Sequence, residues 1–508
     1  MLRSKWARAF VIASLAGLAL SVTSSSTGAK PASPTLRLIS VLKHVSADRF
    51  KGDHHLFFTP GVYIAAMGGP FEIDAVRGDD GTITLWQVSR DSKGVTPIRQ
   101  ITPAAPVKNF YRGLPQFFQV TVKDSKGNVI SSHALGYCLS VGYGQARVDT
   151  SGPDQPQYPY DCGSSLTQAT VWGLDQGWAS SLDMQMRFGA PDGSYNLTIA
   201  VNPSYAQQLG IAASDSTASL TLTVRTSSGG GCKFRPCPVQ PPVAGVSSAG
   251  AISPAALAAS IDAQAQAQGE GPRRAAAQTA TQSALGHSAD GTPDMEALPA
   301  HDLSITHDRR HNRDYLNFGA TIWNGGSGPL VVEGFRDSGA PLMTAVQDIY
   351  QNGSPVRSQT VGQFEFDTRR GHHHWHMEDI AQYDLLNKSG DRVVLSDKQS
   401  FCLAPTDAID LTQPGADWRP DQAGLWSACA GADSIWLREV LPAGWGDTYY
   451  QSVAGQSFNV TNLKNGHYII RVTTDPNHNL LETNYDNNVG LLDITLGGKL
   501  GHRTVTIN

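Results

Sequence analysis

Short stretches in which apolar and polar residues alternate recur along most of the chain. NLTIAV at 196–201 and YIIRVT at 468–473 are two examples. A period of two places the apolar residues on one face of a β-strand. Clusters of Gly, Asn and Asp separate these stretches, as turns between strands require. The pattern therefore predicts an all-β protein.

Two segments of the chain resemble each other. FFQVTVKDSKGNVISSHALGYCLS at 117–140 is similar to AQYDLLNKSGDRVVLSDKQSFCLA at 381–404. Further landmarks recur in the same order: Gly127 with Gly390, Cys138 with Cys402, Cys162 with Cys429, and Trp178 with Trp445. Chance similarity would not preserve this order, so the chain contains a diverged duplication. We predict two tandem related β-sandwich-like domains.

Composition sets the expected boundaries of these domains. Residues 226–297 are rich in Gly, Pro, Ala and Gln and poor in large apolar residues, which is typical of a low-complexity linker. The first copy is therefore expected over 35–225 and the second over 298–508.

The N-terminal segment 1–29 has the pattern of a secretory signal peptide. Arg3, Lys5 and Arg8 precede an apolar stretch at 9–22, and small residues follow it. This stretch is shorter than the ~20 residues of a membrane span, so the pattern favours a secreted, extracellular protein over the alternative of an N-terminal anchor. No later segment is apolar for long enough to span a membrane, and we expect no stable membrane span after signal removal.

The net charge and the cysteine content bear on the possible partners of the protein and on its disulfide bonds. With 39 Lys and Arg against 44 Asp and Glu, the formal charge is −5, which argues against a nucleic-acid partner. An even number of cysteines, six, in an exported chain predicts disulfide bonds. The repeat predicts the pairs Cys138–Cys162 and Cys402–Cys429 and leaves Cys232 and Cys237 as a local loop. A metal pair is a weak alternative for these last two, because CKFRPC has no second pair nearby.

A histidine cluster in the second copy is the first candidate for chemistry. His372, His374 and His376 lie at i, i+2 and i+4 in GHHHWHMEDI. On a β-strand all three would share one face, with His373 and Trp375 on the other. Imidazole suits Cu, Zn, Ni or Fe, and the spacing does not identify the metal. The alternative is a His-rich surface strand that binds no metal.

The order of the motifs in the second copy resembles the lysyl oxidase family, as in a bacterial-type member. The HxHxH strand is followed by YDLL, then by Lys398 and SFCL, and then by GWGDTYY, and the resemblance covers roughly 298–496. The family consists of secreted copper amine oxidases with a lysine tyrosylquinone cofactor. The resemblance implies copper ligation by the three histidines and a quinone crosslink between Lys398 and Tyr449, with Asp447 as the catalytic base. Tyr450 is a rival quinone precursor, but on a strand it would face away from Tyr449.

The implied activity is the copper-dependent oxidative deamination of primary amines, either peptidyl lysine or small amines. O2 would be the oxidant, and an aldehyde, hydrogen peroxide and ammonia would be the products. Two alternatives remain open. One is a secreted metal-binding β-sandwich protein with a binding or adhesion role and no oxidase activity, and the other is a copper-binding oxidase that has lost quinone formation.

The first copy lacks every one of these active groups. Lys398, Asp447 and Tyr449 correspond to Ala134, Ser180 and Leu182, and the histidine positions hold Asn109, Tyr111 and Gly113. We therefore predict that the first copy is a degenerate, non-catalytic partner or substrate-binding domain.

An oxygen-rich run near the C-terminus suggests a second ion. LETNYDNN contains Glu482, Asn484, Asn487 and Asn488, and such groups suit Ca²⁺, which takes 6–8 oxygen ligands. By resemblance, calcium would be held here together with Asp302-Leu303. The alternative is a turn in which the Asn and Asp side chains bond to the backbone.

Overall fold

The computed structural model describes residues 33–227 and 291–508, apart from 51, 53, 141–144, 338, 352–353, 369–372, 397–399, 421–424, 426 and 454. The signal segment 1–29, the Cys232 and Cys237 pair and most of the linker lie outside the described residues. So do two predicted site residues, His372 and Lys398. The described part is almost entirely β-structure, so the all-β prediction is confirmed.

Fifteen strands are described before the linker. They are β1 (Thr35–Ser40), β2 (His44–Phe50), β3 (His55–Phe58), β4 (Val62–Met67), β5 (Phe71–Arg77), β6 (Ile83–Asp91), β7 (Gly94–Ile101), β8 (Leu114–Lys123), β9 (Val129–Tyr137), β10 (Gln145–Arg147), β11 (Ala169–Leu174), β12 (Trp178–Ser181), β13 (Met184–Arg187), β14 (Gly193–Val201) and β15 (Thr217–Ser227). A short helix α1 (Pro203–Leu209) begins after Asn202, whose side chain accepts a hydrogen bond from Ser204 N. It ends at Gly210, which has the positive φ of 67° that favours glycine. A 3₁₀ turn follows at Ala213–Asp215.

The strands of this N-terminal half form four sheets. Their orders are β1-β4-β12-β10, β11-β5-β6-β7, β13-β3 and β2-β15-β14-β8-β9. Alternate residues of β14, such as Leu197 and Ile199, are buried, as the period-two pattern predicts. They belong to one apolar core built from residues 36–224.

Sixteen strands are described after the linker. They are β16 (Met295–Ala297), β17 (His301–Asp308), β18 (Arg313–Asn324), β19 (Leu330–Phe335), β20 (Leu342–Gln351), β21 (Ser354–Asp367), β22 (His374–Met377), β23 (Ala381–Asn387), β24 (Arg392–Leu395), β25 (Asp407–Ala408), β26 (Trp436–Leu441), β27 (Trp445–Tyr449), β28 (Ser457–Asn459), β29 (Gly466–Thr474), β30 (Val489–Lys499) and β31 (His502–Ile507).

Three sheets position the candidate site in this C-terminal half. One has the order β16-β18-β27-β25, with β17 and β28 also paired to β18; the others are β22-β21-β20-β19-β26 and β24-β23-β29-β30-β31. A second apolar core, distinct from the first, joins them. β16 begins at Met295, whose side chain is fully buried in this core, so the first strand of this half starts three residues before the predicted boundary at 298. The boundaries of the two domains themselves stay a prediction.

Each half contains the predicted disulfide. Cys138–Cys162 and Cys402–Cys429 are both bonded, with Cα–Cα distances of 5.8 and 5.6 Å. The pairing deduced from the repeat is therefore confirmed.

The two halves contact each other along the edge strand β11. The backbone N–H groups of Gln168 and Ala169 donate to Ile409 O at 2.7 and 3.1 Å, and Leu411 N donates to Ala169 O at 2.9 Å. Beside these bonds the ring of Tyr158 stacks on Trp418, with ring centroids 5.2 Å apart. An edge strand with unpaired backbone groups is thus covered by the segment that follows β25.

A buried charge cluster lies next to this contact. Arg90 donates to Glu72 at 2.8 Å and to Asp74 at 2.9 Å, and its guanidinium lies 5.3 Å from the Trp418 ring centroid. Tyr158 Oη donates to the second oxygen of Glu72 at 3.0 Å. Two carboxyls therefore share one half-buried cation. Burial raises the pKa of Asp74 to about 7, and the nearby charge of Glu72 opposes ionisation as well.

This raised pKa predicts a pH dependence of stability. The native protein holds a proton on Asp74 that the unfolded chain, with a pKa near 3.8, has already released. The stabilisation that comes from this bound proton is fully present at low pH. The free energy of unfolding should therefore fall as the pH rises from about 4 through 7. Asp74→Asn should flatten this part of the curve, as measured by urea denaturation between pH 5 and 8.

Asp91→Asn, at the exposed end of β6, is the matched control and should keep the wild-type slope. An Asp74→Asn curve parallel to that of the wild type would contradict the assignment.

Candidate active site

The strand β22 brings two of the predicted histidines together. His374 and His376 lie on the same face, and their Nε2 atoms are 3.0 Å apart. His376 is buried and His374 is half-buried. Two nitrogen ligands at ~2.0–2.1 Å from one metal ion would be roughly 2.9–3.4 Å apart for angles of 90–110°. The pair therefore has either the spacing of a shared hydrogen bond or that of two ligands to one ion.

Asp367, at the end of β21, is an additional residue of this site that sequence reasoning missed. Its Oδ2 lies 3.5 Å from Nδ1 of His376, on the side of the ring opposite Nε2. A carboxylate in that place orients an imidazole and makes Nε2 the available nitrogen. In the sequence, the position of this acidic residue at the end of the strand before the histidines could have indicated its role.

The strand begins only at His374. His373 is exposed, has a φ of 59° and donates its backbone N–H to Asp367 O at 2.9 Å, so it belongs to the preceding turn. Trp375 points away from the two histidines and is 1% exposed, as the alternation predicts. Its indole donates to Gly431 O at 2.9 Å, and the guanidinium of Arg336 covers its ring.

A short segment links the histidine strand to Tyr449. Phe401 and Met377 exchange two backbone hydrogen bonds of 3.1 and 2.7 Å, directly after His376. Tyr449 Oη donates to Cys402 O at 3.0 Å, and the Phe401 and Tyr449 ring centroids are 4.5 Å apart. The candidate quinone precursor is therefore tied to the segment that follows Lys398.

Two carboxyl groups lie close to Tyr449 in the core. Asp447 is on the same strand face, two residues earlier, and is 2% exposed. Burial raises the pKa of Tyr449 well above its usual value, and the charge of Asp447 raises it further. Glu439, which sequence reasoning did not select, is fully buried on β26, and its Oε2 accepts a hydrogen bond from Leu403 N at 2.9 Å. In the sequence WLREVL, the glutamate directly before two apolar residues could have indicated a buried carboxyl.

Tyr450 lies on the other side of the strand. It is 46% exposed, whereas the Tyr449 ring packs against the core. The geometry thus separates the two tyrosines in the way that strand alternation predicts.

A further metal-like grouping has a different explanation. Cys402, Cys429 and Glu439 place their sulfur and oxygen atoms within 4.8 Å of one another. The two sulfurs form a disulfide bond and offer no thiolate, so the group does not constitute a metal site.

The oxygen-rich loop folds around Asp294. The Asp294 carboxylate accepts hydrogen bonds from Asn484 N at 3.0 Å and Asn487 Nδ2 at 3.1 Å. Glu482 accepts from Met295 N at 2.7 Å and from Asn488 Nδ2 at 2.8 Å. Burial raises the pKa of Glu482 to about 8. Asp294 was missed by sequence reasoning, although Asp294-Met295 has the same acid-then-apolar pattern as Asp302-Leu303.

The predicted partners of this loop have other contacts. Asp302 Oδ2 lies 2.9 Å from Nδ1 of His301, and Leu303 packs against the edge of the C-terminal core. By contrast, Asn487 Oδ1 and Asn488 Oδ1 are buried within the loop and have no hydrogen-bond partner among the described residues. Buried amide oxygens without donors fit a bound cation.

The corresponding positions of the first copy are structural. Leu182 is 2% exposed in the N-terminal core, and Ser180 is buried in β12. The position that aligns with Tyr449 thus contributes an apolar side chain to packing.

Comparison with known proteins defines the class of the C-terminal half. Residues 341–506 match the family model for lysyl oxidase. Lysyl oxidase homolog 2A of Danio rerio is 32% identical over 139 residues, which is 25% of this chain and 17% of that protein. Lysyl oxidase homolog 2 of Gallus gallus is 28% identical over 160 residues, 31% of this chain and 18% of that protein. The human homolog 2 is 28% identical over 149 residues, 29% of this chain and 17% of that protein.

The C-terminal region is therefore a lysyl oxidase family domain, and the resemblance predicted from the motifs is confirmed for it. The chain spans less than a fifth of the length of each of these three relatives. One solved structure, the partial N-terminal region of an enterococcal surface protein, aligns over 90% of this chain and 92% of its own, with 9% identity and a TM-score of 0.10, too low to indicate a shared fold. In the part of the chain that the structure describes, no helix has the length and apolarity to cross a membrane.

The contrast between the two adjacent tyrosines gives a stability prediction. Tyr449→Phe removes the donor to Cys402 O and leaves a buried carbonyl unsatisfied, which should lower the free energy of unfolding by about 1–3 kcal/mol. Tyr450→Phe, at the exposed neighbouring position, should change it by less than about 0.5 kcal/mol. Denaturant unfolding of the metal-free protein measures both. Equal effects of the two substitutions would contradict the placement of the Tyr449 hydroxyl.

Proposed function

We propose that the protein is a secreted copper-dependent amine oxidase that converts primary amines, on lysine side chains or small molecules, to aldehydes. The observation that carries this proposal is the placement of Tyr449 and the paired His374 and His376 around one segment, Phe401–Cys402. The signal-like segment 1–29 supports secretion. In the net reaction, amine, O2 and water give aldehyde, hydrogen peroxide and ammonia.

Copper fits the donor set of the histidine strand. Two imidazole Nε2 atoms 3.0 Å apart match the spacing of cis ligands to one ion, and Asp367 orients the more buried ring. His372, two residues earlier, would supply the third nitrogen.

Lysine tyrosylquinone fits the residues around Tyr449. The tyrosine hydroxyl is held against Cys402 O, four residues after Lys398, so the two precursors are attached to neighbouring segments. When formed, this cofactor supplies an electrophilic carbonyl that binds an amine and accepts its electrons.

The chain's own groups would handle the protons. Asp447 is 2% exposed and lies on the Tyr449 face of β27, where a carboxylate could remove the α-proton of a bound amine. Burial of this carboxylate among aromatic rings excludes bulk water, which strengthens its interactions with a bound cationic amine.

The first copy has a supporting role in this proposal. Its strand β11 and Tyr158 cover the segment after β25, and β25 pairs with β27, which carries Tyr449. A non-catalytic partner domain, rather than a second oxidase, agrees with these contacts and with the apolar Leu182.

Crosslinking between Lys398 and Tyr449 tests the oxidase proposal. A tryptic digest of the copper-loaded protein should contain the two peptides joined covalently, as detected by mass spectrometry. His374→Ala before copper loading should prevent the crosslink because one metal ligand is lost. Tyr450→Phe is the matched control and should crosslink normally.

Unlinked peptides in copper-loaded wild-type protein would favour the rival functions, a metal-binding adhesion protein or an oxidase without its quinone. Amine-dependent release of hydrogen peroxide would separate the enzyme from both. A normal crosslink in the His374→Ala variant would show that the ligand assignment is wrong.

We also propose that the loop at 482–488 binds calcium, with Asp294 as an additional ligand. The two unpartnered amide oxygens and the carboxyls of Asp294 and Glu482 support this site.

The two candidate aspartates give a direct test of the calcium site. Calcium should raise the midpoint of thermal unfolding of the wild type, because it binds the folded loop selectively. If Asp294 is a ligand, Asp294→Asn should abolish most of this increase, and Asp302→Asn should leave it intact. The reverse outcome would restore the Asp302-Leu303 assignment, and no calcium effect in any variant would favour a simple turn.

A further inference from the structure

One buried carboxyl of the candidate site has no role in the proposed reaction. Glu439 lies on β26, opposite Val332 in the sheet, and has 0% of its surface exposed. Its Oε2 accepts a hydrogen bond from Leu403 N, whereas Oε1 is buried without a hydrogen-bond partner among the described residues. Burying a carboxyl in this way costs free energy. An apolar residue at this position would make the fold more stable, so the carboxyl is expected to have a specific role.

The contact of Glu439 with Leu403 fixes the segment on which the site is built. The preceding residue, Cys402, accepts the Tyr449 hydroxyl through its carbonyl, and Phe401 pairs with Met377 of the histidine strand. Ser427 Oγ donates to Leu403 O at 2.7 Å, so both polar backbone groups of Leu403 are held. Three consecutive residues are thus attached to three different strands, and Glu439 provides the third attachment.

Burial and the neighbouring charge both favour the protonated form of this carboxyl. Burial raises the pKa of Glu439 well above its usual value, and the negative charge of Asp447 raises it further. Two ionised carboxylates in one apolar interior would repel each other strongly. The neutral acid accepts the Leu403 N–H without adding a second charge beside Asp447.

We propose that Glu439 is a positioning residue whose carboxyl holds Leu403, and through it the Cys402 carbonyl that accepts the Tyr449 hydroxyl. This inference rests on the proposed oxidase function. It assigns Glu439 a purely structural hydrogen bond.

Glu439→Gln and Glu439→Leu form a matched pair for testing this role. Gln keeps the shape, the acceptor and the neutral charge, whereas Leu keeps the approximate volume and removes the acceptor. In the metal-free protein, hydrogen exchange of the Leu403 amide should be about three- to tenfold faster in Glu439→Leu than in the wild type, and close to the wild-type rate in Glu439→Gln. After copper loading, the yield of the Lys398–Tyr449 crosslink should be lower in Glu439→Leu than in the wild type and close to the wild-type yield in Glu439→Gln.

Two results would overturn the proposal. Unchanged Leu403 exchange in Glu439→Leu would show that the carboxyl does not hold this amide. Loss of the crosslink in Glu439→Gln, with Leu403 still protected, would show that an ionised carboxylate is required. If Glu439→Leu does not fold, as judged by near-ultraviolet circular dichroism, Glu439→Gln alone decides, because both of its readouts must match the wild type.

The exchange measurement needs neither metal nor quinone. If the wild type forms no crosslink, the oxidase proposal fails, while the Leu403 exchange rates still report on the contact with Glu439. Failure of the two proposals is therefore distinguishable.

Discussion

The hydrogen bonds of the segment Phe401–Leu403 are the constraint on which the candidate site depends. Phe401 pairs with the histidine strand, Cys402 accepts the Tyr449 hydroxyl and is bonded to Cys429, and Leu403 is held by Glu439. Each hydrogen bond contributes modestly to stability because folding forms it at the expense of hydrogen bonds to water. Together they fix three strands at one point, so a shift of this segment would separate the histidine strand from Tyr449.

The environment of this segment is as important as its contacts. The carboxyls of Asp447 and Glu439 are buried, and the Tyr449 ring packs against the apolar core beside them, where ionisation is costly. Burial raises the pKa of Tyr449 and of Glu439 well above their usual values. A site of this kind has little freedom to rearrange, which suits chemistry that requires two side chains of one chain to meet.

The similarity of the two halves fits the predicted duplication. Both retain the disulfide and the strand pattern, but the first copy has Leu182 where the second has Tyr449. Its edge strand β11 now pairs with the segment after β25, which closes an exposed sheet edge against the other half. The half-buried Arg90, shared by Glu72 and Asp74, lies beside this contact, and burial raises the pKa of Asp74.

The sequence by itself determined the strand pattern, the disulfide pairs and the family of the C-terminal region. Period-two alternation and the order of motifs can be read along the chain without knowing which residues meet in space. It also placed His374 and His376 on one face of a strand. The tertiary structure alone brought Asp367 to His376, Glu439 to Leu403 and Asp294 to Asn487. These pairs, some far apart in the chain, meet only through sheet register and the paths of loops, which no local pattern encodes. A buried carboxyl acquires its partner when the core closes around it, and so its role is decided by packing.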